Sequence, residues 1–225
     1  MGLYAIGDVH GCVRTLDALL DQLALTPDDE LVFVGDYVDR GPDSRATIER
    51  LIEIEAASAA GTGPRTVFLR GNHDQMMLNH ADGVGDFELW RTNGGLATLA
   101  SYEEAGDRAI PDAHVAFLER TQLAYDTEHA VFVHAGLDPS LSVAENLAAP
   151  SSRVFLWTRA HLDADLSRWE KPVVTGHTPV ANPTNTPHLI NVDTGAVYVN
   201  RRPELGKLTA VSLPDRTFTS VRCIG

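Results

Sequence analysis

The residues of this chain that could do chemistry fall in five short motifs. They are Gly7-Asp8-Val9-His10-Gly11, Gly35-Asp36-Tyr37-Val38-Asp39-Arg40-Gly41, Gly71-Asn72-His73-Asp74, His134-Ala135-Gly136 and Gly176-His177-Thr178. Each offers an oxygen or an imidazole, and each follows a short apolar run of strand-like composition. Together they provide Asp8, His10, Asp36, Asn72, His134 and His177, donors enough for two metal ions that share one carboxylate. Two ions ~3.5–4 Å apart acidify a water between them and clamp a transferring phosphoryl group. The expected chemistry is therefore cleavage of a phosphate ester by metal-bound hydroxide, with Asp36, central in chain order, as the bridge. Carboxylate, amide and imidazole donors without thiolate favour manganese, iron, cobalt or zinc, with manganese the leading expectation.

Ligands so widely scattered converge only if several strands end at one edge. Strands are expected at Leu3 to Ile6, Leu31 to Val34 and Thr66 to Leu69, separated by two helical patterns. The first helix carries Val13, Leu16, Leu19, Leu20 and Leu23; the second carries Ala46, Ile48, Leu51, Ile52 and Ile54, with Asp43 or Ser44 as its N-cap. Strand–helix–strand alternation implies parallel pairing, which puts ligand sites at the carboxyl ends of strands. From about residue 75 to 127 the pattern turns helical and irregular, and is expected to be an inserted helical cap over the site within a single domain of residues 1–225. The sheet resumes at Val131 to Val133 and Pro172 to Thr175. Leu189 to Val192, Ala196 to Val199, Leu208 to Leu213 and Thr217 to Arg222 form an antiparallel-looking series that suggests a second sheet, and Ala56 to Gly63 reads as a small-residue loop.

These motifs resemble the signature of the calcineurin-like metallophosphoesterases, in the form used by the serine/threonine phosphoprotein phosphatase family. The match covers nearly the whole chain in order. The resemblance implies an α/β fold of two mixed β-sheets packed as a sandwich and flanked by helices. It assigns Asp8, His10 and Asp36 to one metal, and Asp36, Asn72, His134 and His177 to the other. It makes His73 the general acid that protonates the leaving alkoxide, and Asp39 the carboxylate that orients it. Asn72, Arg40 and Arg159, the last in Leu156-Trp157-Thr158-Arg159, match groups that grip phosphate; the lesser reading of Arg159 is an exposed arginine at a helix start. Gly176-His177-Thr178-Pro179 and Asn191-Val192-Asp193-Thr194-Gly195-Ala196 resemble the small bacterial and phage branch. Symmetric dinucleoside-tetraphosphatases share the pattern but typically lack the Asp39 position and the His-Thr-Pro segment. Protein phosphatase activity is accordingly the first expectation, hydrolysis of a nucleotide or dinucleoside polyphosphate the second, and a weakly active metal-binding regulator the third.

Other residues carry less. Asp193 is either a carboxylate that holds a ligand histidine or a turn residue before Gly195. Trp90, Asn93, Gly94 and Gly95 either line the cleft mouth or serve helix packing and a helix-breaking turn. His80, His114, His129, His161 and His188 are taken as surface or packing residues, with only His80 near the site.

The chain has 225 residues and a formal net charge of −13. That charge disfavours nucleic acid, which needs lysine and arginine against its phosphates, yet admits a phosphorylated protein or small phosphoester at a metal centre. No apolar run approaches a membrane span, and the first residues read as a strand rather than a leader. Two cysteines, Cys12 and Cys223, are expected to be free thiols in a reducing cytoplasm, too few and too poorly placed for a disulfide framework. Oligomeric state is left open.

Overall fold

A computed structural model describes residues 2–224. Two five-stranded sheets face each other. The first begins as expected: β1 (Leu3–Ile6), α1 (Val13–Leu23), β2 (Glu30–Phe33), α2 (Ser44–Ala59) and β3 (Arg65–Phe68), with β1 parallel to β2 and β2 parallel to β3. Asp43 caps α2 by accepting the Ala46 N–H at 2.8 Å, and α2 runs on through Ala59, so the first half of the small-residue stretch expected as a loop continues the helix.

The irregular stretch holds α3 (Asn72–Ala81), α4 (Phe87–Trp90), a wide turn at Arg91–Gly95, α5 (Leu96–Glu104) and α6 (Asp112–Glu119). α5 packs on α2, and α6 packs on α2 and α3, so much of this segment lies beside the first sheet's helices. Its last residues form strand β4 (Ala124–Asp126), antiparallel to β5 (Val131–Val133). The second sheet has the order β4, β5, β6 (Val173–Thr175), β8 (Leu189–Asn191), β7 (Thr184–Asn185), with β7 the short edge strand; β5, β6 and β8 run parallel. α7 (Val143–Ala148) and α8 (Ser152–Trp157) follow β5 in the chain.

Two expectations about the end of the chain are corrected. Ala196–Tyr198 is a single turn of 3-10 helix, closed by the Tyr198 N–H on the Gly195 carbonyl at 2.9 Å, not a strand. The hairpin β9 (Lys207–Leu213) and β10 (Thr217–Arg222) belongs to the first sheet, where β9 pairs antiparallel with β1. Leu208, Thr209, Ala210 and Val211 are all buried, as an interior strand covered on both faces requires.

Between the sheets, Ala5, Val32, Val34, Val67 and Val211 meet Phe132, Val174, Ile190 and Val192. A second cluster under α1, α2, α3 and α6 includes the Phe33–Phe68 stack, 5.2 Å between centroids. A third seals the far face of the second sheet with Phe155 and Trp169. The two cysteines, 211 positions apart, are brought together as free thiols with sulfurs 3.7 Å apart, a proximity that sequence spacing did not suggest.

Candidate metal centre

Five parallel strands end at the same edge of the sandwich, three from the first sheet and two from the second. β1 leads to Asp8 and His10, β2 to Asp36, β3 to Asn72 and His73, β5 to His134 and β6 to His177. All seven side chains are buried. His10, Asp36, Asp39, Arg40 and His177 all have positive φ, between 44° and 74°. Side chains rarely adopt this backbone region, so the strain is concentrated where functional groups must be aimed.

Asp36 is the shared element. It falls in one group with His10 and His73, and in a second with His134 and His177. Its Oδ2 lies 3.6 Å from His10 Nε2, 4.0 Å from His73 Nε2 and 3.4 Å from His134 Nε2. Its Oδ1 accepts the His73 N–H at 2.9 Å. Asp74, whose role the sequence left unassigned, supports it from below. Its carboxylate accepts the backbone N–H groups of Asp36, Tyr37 and Gly71 at 2.9, 2.9 and 2.8 Å. Gly71 permits this approach, since a Cβ there would sit 2.0 Å from Asp36 Oδ1. Gly176 does the same for Asp8, where a Cβ would lie 2.0 Å from Oδ1.

The protonation pattern fits cations. His10 Nδ1 donates to the Val38 carbonyl at 2.7 Å and His134 Nδ1 to the Val34 carbonyl at 3.0 Å. Those acceptors fix the tautomer and turn both Nε2 lone pairs inward. Asn72 Oδ1 lies 3.0 Å from His134 Nε2 and 2.8 Å from His177 Nδ1, and the two ring nitrogens are 3.2 Å apart. Three lone-pair atoms converging without a donor between them suit a metal ion. His177 Nε2 is buried without a hydrogen-bond partner, which leaves Nδ1 as its inward face.

Electrostatics agree. Burial, reinforced by Arg40, pushes the His10 imidazole down to about 3; burial and His134 push His177 down to about 2. Both therefore stay neutral and able to ligate. Burial, Asp193 and Asp36 raise the Asp8 carboxyl well above the usual carboxylate range. Asp36 moves the other way: burial opposes ionisation, but His134, His73 and His10 outweigh it and hold the carboxyl well below that range. Crowded buried carboxylates of this kind call for added positive charge.

His73 stands beside the donors. Its Nδ1 is 2.6 Å from Asp39 Oδ2, and Asp39 is held in turn by the Trp90 indole N–H and the Thr98 hydroxyl, the latter at 2.6 Å. Burial lowers His73 to about 4 and raises Asp39 to about 7, each disfavouring its charged form. Trp90 and Thr98 were not legible as members of this relay; only the reading of Trp90 as a residue of the cleft mouth pointed there. Gly94, from the same expectation, accepts the Arg40 backbone N–H at 3.3 Å.

The two arginines flank the centre. Arg40 Nη1 donates to His10 Nε2 at 2.7 Å, and exposed Arg159 donates from Nε to Thr178 Oγ1 at 3.2 Å, next to His177. Asp193 makes the turn bond, accepting the Gly195 N–H at 2.8 Å, and burial raises it to about 6. Outside the centre, His114 bonds Tyr102, His161 packs on Trp169, and His80 lies against Trp90 with ring centroids 4.7 Å apart.

Comparison with known proteins agrees with this geometry. A symmetrical bis(5'-nucleosyl)-tetraphosphatase of Janthinobacterium sp. (strain Marseille) is 29% identical, over 99% of this chain and 97% of that protein. The asymmetrical bis(5'-nucleosyl)-tetraphosphatase PrpE of Oceanobacillus iheyensis is 28% identical, over 98% of this chain and 92% of that one. A crystal structure of a candidate diadenosine tetraphosphatase superposes with a TM-score of 0.68 at 22% identity, covering 100% of this chain and 94% of that one. Residues 1–204 match the calcineurin-like phosphoesterases, and with them the α/β double-sheet fold and a hydrolase's donor set; the chain belongs to that family.

Proposed function

We propose that this phosphoesterase hydrolyses dinucleoside polyphosphates at a dinuclear metal centre. The observation that carries the reading is the end-to-end similarity to two bis(5'-nucleosyl)-tetraphosphatases. It reverses the order expected from sequence, where Asp39 and the His177-Thr178-Pro179 segment had favoured a protein phosphatase. Similarity over nearly the whole length outweighs two local motif features.

Asp8, His10 and Asp36 would hold one ion, and Asp36, Asn72, His134 and His177 the other. When bound, the ions supply Lewis acidity and an acidified water. Arg40 and Arg159 grip phosphoryl oxygens from opposite flanks, where a planar guanidinium suits paired contacts. His73, aimed by Asp39, holds the proton that the leaving oxygen takes up. Manganese is the first ion to supply, with iron, cobalt and zinc as comparisons.

The 2.6 Å contact between His73 and Asp39 favours a second reading. An oriented acid matters most for a poor alkoxide leaving group, so broad phosphomonoesterase activity, phosphoserine included, is the runner-up. The test compares kcat/KM on diadenosine tetraphosphate with that on phosphoserine and phosphothreonine peptides, for protein reconstituted with each metal. A higher value on the dinucleotide is expected. A higher value on the best peptide overturns the proposal.

A further inference from the structure

Next to the metal centre lies a cavity of about 330 Å³ with unusual walls. Among the described residues eight large hydrophobic side chains are exposed, and four of them, Val84, Phe87, Leu89 and Trp157, converge here. Scattered apolar exposure is ordinary, whereas its concentration on one concave surface marks a binding site. His80 adds an aromatic face, its ring 5.4 Å from that of Phe87.

Two links tie the cavity to the reacting centre. Trp157 stands edge-on to His177, ring centroids 6.4 Å apart. Trp90, which also lines the cavity, spends its indole N–H on Asp39, the partner of His73. The floor is α3, which starts with Asn72 in the donor cluster and then presents Gln75 and Asn79 to the cavity. From Asn72 to Asn79 the helix rises roughly 10 Å, the scale of a nucleoside and its first phosphate. No lysine or arginine lines the cavity, and its one carboxylate, Asp86, caps α4 by accepting the Leu89 N–H at 3.1 Å. Phosphate therefore belongs at Arg40 and Arg159, and what enters here is neutral, flat and apolar, with edges that amides can meet.

We infer that this cavity receives the nucleoside of the leaving nucleotide, its base stacked among Phe87, Trp157 and His80 and its polar edge turned to the Asn79 amide, which Gln75 orients by donating from Nε2 to Asn79 Oδ1 at 2.8 Å. The inference rests on the dinucleoside polyphosphate reading of the metal centre. It adds that specificity is set on the general-acid side, by base stacking, which accepts any base because every base has an aromatic face.

The test begins with adenosine, which has no phosphate to draw it to the metals. Adenosine is titrated into metal-free full-length protein while tryptophan emission and the backbone resonances of isotope-labelled protein are followed. Resonance changes centred on Asn79, Phe87 and Trp157 are expected, with Phe87→Ala weakening binding about tenfold, as loss of one stacking face implies, and Phe87→Tyr restoring it. Phe87 is exposed, so its replacement endangers the fold little; unchanged melting temperatures verify this. In the reconstituted enzyme Phe87→Ala should lower kcat/KM on diadenosine tetraphosphate about tenfold more than on inorganic tripolyphosphate.

Equal losses on the two substrates, or adenosine shifts elsewhere on the surface, overturn the assignment. Efficient diadenosine tetraphosphate cleavage that is indifferent to Phe87 brings down the pocket and leaves the proposed function standing. Adenosine binding that needs Phe87, with the dinucleotide uncleaved, does the reverse. A larger Phe87→Ala loss on an aromatic phosphopeptide than on the dinucleotide assigns the cavity to a protein side chain and ends the nucleoside reading.

Discussion

The indole N–H of Trp90 reaches both carboxylate oxygens of Asp39, at 3.0 and 2.9 Å, from 51 residues along the chain. Asp39 already faces His73 and the Thr98 hydroxyl, so a fully buried carboxyl is fixed from three sides. Trp90 thereby acts on the proposed acid at one remove, as a positioning residue. Burial raises Asp39 to about 7, and the donors from Thr98 and Trp90 restrain that rise.

Trp90→Phe tests the relay. The ring volume is largely kept, and the donor is lost. Without it the Asp39 carboxyl shifts further upward, because its ionised form loses a hydrogen bond. The acid limb of the pH–rate profile should move to higher pH, and kcat should fall by roughly tenfold, less than the ~10²–10⁴-fold an acid–base group itself contributes because Trp90 acts at one remove. An unmoved profile, with only the melting temperature changed, would show that Trp90 is packing alone.

His73→Asn carries the same question to the acid itself. Metal content should be retained, since the six other donors remain, while turnover falls ~10²–10⁴-fold. The loss should be largest for alkyl phosphates and smaller for an aryl phosphate, whose leaving group needs less protonation. Metal analysis and kinetics on both substrates check this. Equal losses would recast His73 as a positional residue.

These relationships show where sequence stopped. Asp8, His10, Asp36, Asn72, His134 and His177 were legible because each lies within a few residues of a strand end, and a run of apolar residues followed by a glycine-bounded polar motif is a local signal. Trp90 and Thr98 meet Asp39 across 51 and 59 residues, and nothing in their own neighbourhoods announces the partner. β9 and β10 were legible as strands of an antiparallel series, but alternation fixes which face of a strand is buried, not which strand lies alongside. β9 pairs with β1 at the opposite end of the chain. Arg159 rested on one tetrapeptide, and its position beside Thr178 comes from the packing of α8 and β6 ends, which no periodicity encodes.

Asp74 was also in view as part of a motif without a role. Its carboxylate accepts three buried backbone N–H groups, so Asp74→Ala leaves three donors unsatisfied at about 1–3 kcal/mol each. A loss of roughly 3 kcal/mol or more in unfolding free energy is expected by chemical denaturation of the metal-free protein, with fewer ions retained on reconstitution because Asp36 is no longer anchored. Asp74→Asn keeps an acceptor and should lose less. If both variants unfold like the parent, Asp74 is not the support its hydrogen bonds imply.

The last prediction concerns pH and the ions. Burial, Asp193 and Asp36 hold the Asp8 carboxyl well above the usual carboxylate range, so it keeps its proton to higher pH than a free aspartate would. An ion bound there must displace that proton. The sign follows: affinity rises with pH until Asp8 is ionised in the metal-free protein, then levels off. His10 and His177, lowered to about 3 and about 2, are already neutral throughout this range and contribute no competing protonation. At His134 burial is outweighed by Asp36, which raises the imidazole, and an ion held there must also displace its proton. Each displaced proton adds about tenfold per pH unit to the slope below the plateau. Calorimetric titration of manganese into metal-free protein between about pH 5.5 and about pH 8 measures it, with the proton released detected in buffers of different ionisation enthalpy. Asp8→Asn should weaken the tighter dependence on pH together with binding of one ion, leaving the ion held by Asn72, His134 and His177. A slope that survives Asp8→Asn unchanged would place the competing proton on His134 or another carboxyl and take Asp8 out of the ligand set.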